Sequence, residues 1–84
     1  MQLSRIIRTI RLTHHLTQSQ VAERLGVTRN YVSYLENGLK VPSLAIVDRL
    51  AKEFDFNPYY LRRTWVADMV SQFEEKLKAK SGLN

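Results

Sequence analysis

Hydrophobic residues recur at intervals of three and four in five stretches of the chain, and no stretch alternates convincingly with the period of two that marks a strand. In residues 2–13, Leu3, Ile6, Ile7 and Ile10 fall on one side of a helix, within about 100° of arc, and Arg5, Arg8 and Arg11 take the opposite side. Thr17 with Gln20 forms a T-x-x-Q capping box that opens a second helix, in which Val21, Ala22 and Leu25 point inward until Gly26 stops it. Thr28 is the N-cap of a short third helix, ended by Asn37-Gly38, residue types that tolerate left-handed geometry. After the Val41-Pro42-Ser43 connection, Ser43 caps a fourth helix whose apolar stripe is Leu44, Val47, Leu50, Ala51 and Phe54. Asn57 as cap and Pro58 at the first helical position begin a fifth, which meets no breaker before Ser81-Gly82.

The short spacings between these helices predict one all-α bundle with no internal repeat, no glycine-rich phosphate loop and no interdomain linker. With 84 residues, only about 60 to 65% of the unfolded surface is expected to be buried, which leaves little room for an elaborate internal active site. The chain contains no cysteine, so disulfides, thiolate zinc sites and thiol chemistry are excluded. Arginines interrupt the apolar part of MQLSRIIRTIRL, unlike a secretory signal, and no charge-free run approaches the roughly 18 residues of a membrane span. A soluble, cytoplasmic protein is expected.

Net charge is +5 and unevenly distributed. Residues 1–40 hold six Lys or Arg against two acids, and residues 41–84 hold seven against six. A basic first half favours a polyanionic partner. In the third helix the buried side runs through Thr28, Val32 and Leu35, so Asn30, Ser33, Tyr34 and Asn37 form one outward face with Arg29 beside it. Such groups can bond base edges or phosphates: Arg29 can fork onto guanine O6 and N7, Asn30 can pair with adenine N6 and N7, and Tyr34 can meet a thymine edge. The plain alternative is a solvated helix face. The turn after Gly26 is only three or four residues long, and Ala22 permits close approach of the two helices it joins.

The stretch LTQSQVAERLGVTRNYVSYLENG followed by VPSLAIVDRLAKEF resembles the Xre/Cro type of helix-turn-helix found in phage repressors, restriction-modification controllers and small bacterial regulators. The resemblance covers roughly residues 3–61 and implies a five-helix, lambda-repressor-like bundle, here with an extended C-terminal helix. It implies base reading by Thr28, Arg29, Asn30, Ser33 and Tyr34, and phosphate contact by Thr17, Gln18, Tyr31, Asn37 and Lys40. At Gln18 the helix dipole and free backbone N–H groups also favour an anion. The resemblance further pairs Arg11 with Glu36, tying the first helix to the end of the third.

His14 and His15 have no cysteine companions and point to different sides of a helix end, so capping or plain exposure is expected rather than a metal site. Asp48, Glu53 and Asp55 form no nucleophile, base and orienter set, which argues against an enzyme; no cofactor or metal is expected. A helix from Pro58 to about Lys80 would be roughly 35 Å long, beyond the span of so small a core. Leu61, Trp65 and Met69 drift along one side of it, and Val66, Val70, Phe73 and Leu77 cluster on a neighbouring side. The first face is expected to close the core and the second, bordered by Met69, to join a homodimer; the alternative is a helix wrapped on its own domain. The expected organisation is therefore a DNA-binding domain over 1–61, a dimerisation helix over 58–80 and a flexible tail over 81–84. Sequence-specific binding of a palindromic double-stranded operator by a homodimer follows, with RNA polymerase as a further partner; the competing reading is an antitoxin-like module whose fifth helix holds a toxin or other protein. No separate effector domain fits in 84 residues, which favours control by concentration.

Overall fold

The computed structural model describes residues 2–81, folded as five helices with no strand among them. In order these are α1 (Gln2–Thr13), α2 (Gln18–Leu25), α3 (Arg29–Glu36), α4 (Leu44–Glu53) and α5 (Pro58–Ser81). Each start after the first is fixed by a local polar side chain. Thr17 and Gln20 close a reciprocal capping box, the Thr17 hydroxyl accepting from the Gln20 N–H and the Gln20 amide oxygen from the Thr17 N–H. The Thr28 and Ser43 hydroxyls accept from the Tyr31 and Ile46 N–H groups, and the Asn57 amide oxygen accepts from those of Tyr59 and Tyr60. Such caps contribute about 1 kcal/mol each. Gly26, with φ of 70°, ends α2, and Gly38, with φ of 71°, takes the left-handed position after α3, while Asn37 keeps φ at −91°.

The core collects Leu3, Ile7 and Ile10 of α1, Val21, Ala22 and Leu25 of α2, Val32 and Leu35 of α3, Val47, Leu50 and Ala51 of α4 with Phe54, and Leu61 of α5. Leu44, expected in the α4 stripe, lies exposed in the first turn at the edge of that stripe. On α5 the inward line also differs from the expected one. Met69 is 39% exposed, and Thr64 and Asp68 are buried beside Leu61 instead. Both polar groups are satisfied there. The Thr64 hydroxyl donates to the Tyr60 carbonyl at 2.9 Å, and the Asp68 carboxylate accepts the N–H groups of Gln2 and Leu3 at 3.1 and 2.9 Å. A residue of α5 thus caps α1 across the fold, at the end where a helix presents its positive dipole.

At about 1.5 Å per residue, the 24 residues of α5 span roughly 36 Å, which exceeds the 26 Å middle extent of the molecule. From Phe73 to Lys80 every residue is exposed. The helix continues through Ser81, the first residue of the expected tail; residues 82–84 lie outside the described part. No helix among the described residues is long and apolar enough to cross a membrane.

Candidate nucleic-acid interface

α2 packs against α3 through a connection of three residues, Gly26 to Thr28, and this pair presents α3 at the surface. Val32 and Leu35 anchor α3 in the core, so a helix of eight residues must turn its opposite side outward. Arg29 and Asn30 are exposed in its first turn, and Tyr34 is 42% exposed one turn later. Lys40, in the connection after α3, sets its ammonium 5.4 Å from the centroid of the Tyr34 ring. A cation on an aromatic face is stabilised there without losing its outward charge.

Other candidate residues stand differently. Ser33 is half-buried, and its hydroxyl accepts from the Asn37 amide at 3.3 Å. Tyr31 is half-buried and packs against the core with only part of its surface in solvent. Thr17 and Thr28 are exposed, but each hydroxyl already accepts a capping hydrogen bond. Asn37 is exposed; its amide oxygen meets the Arg8 guanidinium at 3.5 Å. Gln18 is half-buried, and its amide donates to Glu36 at 3.3 Å.

Glu36 is the hub behind this surface. Its side chain is fully buried, and its carboxylate accepts from Arg11 Nε at 2.7 Å and Nη2 at 3.0 Å, from Gln18, and from Arg8 Nε at 3.5 Å. Burial alone would push the carboxyl pKa up, but the hydrogen bonds from Arg11 and Gln18, the Arg11 charge and the Arg8 bond outweigh it and hold the pKa below its ordinary value. The hydrogen bond to Glu36 in turn raises the already high pKa of Arg11. Arg11 Nη1 also donates to the Leu16 carbonyl at 3.1 Å, so this guanidinium ties α1, the α1–α2 turn and the end of α3 together. Arg8 is half-exposed and leans on the same carboxylate, which breaks the uniform basic stripe expected on α1.

Two further contacts were not foreseen from sequence. The Trp65 indole N–H donates to the Pro42 carbonyl at 2.7 Å, and Asp68 caps α1. An acid placed at helical spacing on the same face as Leu61 was the available signal for Asp68; nothing local signals the Trp65 bond. On the opposite side of α5, Val66, Met69, Val70, Phe73 and Leu77 are all exposed, Phe73 by 62%. His14 sets its Nδ1 2.8 Å from the Ile10 carbonyl, and its ring meets Phe54 edge-on. His15 takes a left-handed φ of 55° at the end of α1.

A short exposed helix carried by a tight turn on a second helix, both seated on a helical core, defines a helix-turn-helix domain. The helix-turn-helix family model matches residues 7–61, and the chain belongs to that family, of the Xre/Cro type. The chain is 37% identical over 75 residues to the cryptic phage CTXphi transcriptional repressor RstR of Vibrio cholerae, across 88% of this chain and 63% of the relative. It is 44% identical over 46 residues to an uncharacterised HTH-type transcriptional regulator of Mycobacterium tuberculosis, across 55% of this chain and 33% of the relative. It is 37% identical over 49 residues to the antitoxin PezA of Streptococcus pneumoniae, across 58% of this chain and 31% of the relative. The chain thus spans less than two thirds of the length of each of these proteins. No solved structure matches it significantly.

Proposed function

We propose that the protein is a sequence-specific transcriptional regulator that binds a palindromic double-stranded DNA operator as a homodimer. The observation that carries this reading is the exposure of Arg29, Asn30 and Tyr34 on one side of a short helix whose other side is core. Each subunit inserts residues 28–36 into the major groove of one half-site, with half-sites about 34 Å apart. Arg29 and Asn30 read base edges; Tyr34 supplies an apolar or hydroxyl contact; Thr28 and Ser33 contribute at the edges of that surface. Gln18, Thr17, Tyr31, Asn37 and Lys40 hold the backbone, and Glu36 keeps the amide of Gln18 in place. The exposed stripe of α5, from Val66 through Met69, Val70, Phe73 and Leu77, is the dimer interface, so that residues 58–80 serve as the dimerisation element of a DNA-binding domain over 1–61. Repression is supported by the named phage repressor among the relatives. The protein acts in the cytoplasm, catalyses no reaction, and has RNA polymerase as a further partner.

A second reading draws on the same stripe: α5 holds a toxin or other protein, which the antitoxin among the relatives favours. In that reading DNA binding is secondary or lost and partner binding survives changes on α3, so the two separate in one experiment. The double variant Arg29→Ala/Asn30→Ala loses all preference for a selected operator over random duplex if residues 28–36 read bases, and each lost bidentate pair weakens operator binding by about 1 to 3 kcal/mol. An operator preference unchanged by both substitutions removes the base-reading assignment.

A further inference from the structure

The connection between α3 and α4 is pinned at both ends by local bonds. Its first residues fold back on α3, with the Gly38 N–H donating to the Leu35 carbonyl and the Leu39 N–H to the Tyr34 carbonyl at 2.9 Å. Its last residue, Ser43, caps α4. The middle is held differently. Pro42 has no N–H to offer, so its carbonyl is its polar handle, and that carbonyl accepts the Trp65 indole N–H at 2.7 Å from across the fold. Pro42 is buried and Trp65 half-buried, an environment in which such a bond is stronger than in water. Two residues before Pro42 stands Lys40, its ammonium over the Tyr34 ring on the surface that faces outward with α3.

We infer that Trp65 is a positioning residue for DNA binding: through the Pro42 carbonyl it fixes the connection that carries Lys40, and so sets where Lys40 meets a phosphate and where Tyr34 is held. This rests on the reading that the α3 surface binds DNA. A loop left to itself would pay for its ordering at the moment of binding, whereas a loop tied to α5 has been ordered by folding. The long C-terminal helix thereby takes part in DNA binding without touching DNA.

Trp65→Phe retains an aromatic ring and removes the N–H. Binding of a fluorescein-labelled random-sequence duplex of about 20 base pairs is followed by anisotropy across a salt series for the wild type, Trp65→Phe, Lys40→Ala and the double variant. The expected result for Trp65→Phe is a loss of roughly three- to tenfold and a salt slope smaller by about one, with Lys40→Ala adding little on top of it. An unchanged slope, or losses that simply add, overturns the inference. A role in folding alone would lower the melting temperature and leave the slope intact. Should Trp65→Phe melt below the assay temperature, the wild-type indole N–H resonance replaces it, since the chain has a single tryptophan. Displacement of that resonance by duplex and by Lys40→Ala supports the coupling, and a resonance indifferent to both overturns it. A wild type that binds no duplex at all overturns the DNA-binding reading and takes this inference with it, whereas a binding wild type with an unaltered Trp65→Phe variant overturns the inference alone.

Discussion

Replacing Arg11 by Met isolates the buried electrostatics behind the α3 surface. Glu36 has no side-chain exposure, and Arg11, 16% exposed, supplies two of its hydrogen bonds, including the shortest at 2.7 Å. Met keeps most of the aliphatic volume of Arg11, so the change removes charge and donors more than packing. Breaking a buried pair by removing one partner costs about 3 to 5 kcal/mol; the residual donors Gln18 and Arg8 place the expected loss near the lower end, about 3 kcal/mol. A domain of this size has roughly 4 to 12 kcal/mol in total, and each kcal/mol shifts its midpoint by about 4 to 8 °C. Thermal unfolding followed by circular dichroism at neutral pH should therefore show a drop of at least about 12 °C. The pH dependence carries a sign of its own. Because the folded wild-type carboxyl has a lowered pKa, its stabilisation is present above the unfolded value of about 4.3 and is lost as pH falls through the folded one. In the Arg11→Met variant that pKa is higher, so the gap between the two proteins narrows in acid. A loss below about 1 kcal/mol, or a gap independent of pH between 3 and 7, would refute the account. Pairing Arg11→Met with Glu36→Leu should recover much of the loss, since an apolar pair of similar volume needs no counter-charge.

Lys40→Ala should weaken binding to all duplexes about equally and lower the salt slope by about one, measured by anisotropy at several salt concentrations. Phe73→Glu places a charge on the aromatic of the α5 stripe; it should keep the helical circular dichroism of the folded subunit and reduce the mass found by sedimentation equilibrium to that of one chain, whereas an unchanged dimer mass would move the interface elsewhere. Asp68→Ala leaves the Gln2 and Leu3 N–H groups without their acceptor and should cost about 1 to 3 kcal/mol in chemical denaturation, with amide exchange accelerated at the start of α1.

The features legible in the sequence are those with local causes. Thr17, Thr28, Ser43 and Asn57 announce helix starts because each bonds an N–H within three residues of itself. Periodicity places Val32 and Leu35 in the core and thereby turns Asn30 and Tyr34 outward. What periodicity misses is polar burial driven by a distant partner. Asp68 is drawn inward in preference to Met69 because α1 begins beside it, its first N–H groups lying 65 and 66 residues away in the chain. Gln18 is likewise held by a partner far along the chain, its amide donating to Glu36, whereas Ser33, expected on the outward face, is half-buried and bonded locally to Asn37. Trp65 reads as a core aromatic, and its N–H finds the Pro42 carbonyl only once α4 and α5 have packed. Hydrogen bonds, tertiary at Gln18 and local at Ser33, therefore distinguish the polar residues of α2 and α3 that are held from Arg29 and Asn30, which are exposed.

In the proposed function, Arg29, Asn30 and Tyr34 read a two-fold symmetric DNA site. Selection of purified protein against a random double-stranded DNA pool at near-physiological salt, followed by sequencing of the retained fraction, tests it most directly. The account predicts enrichment of an inverted repeat whose half-site centres lie about 10 base pairs apart. Retention without any common motif, or no retention, would contradict it.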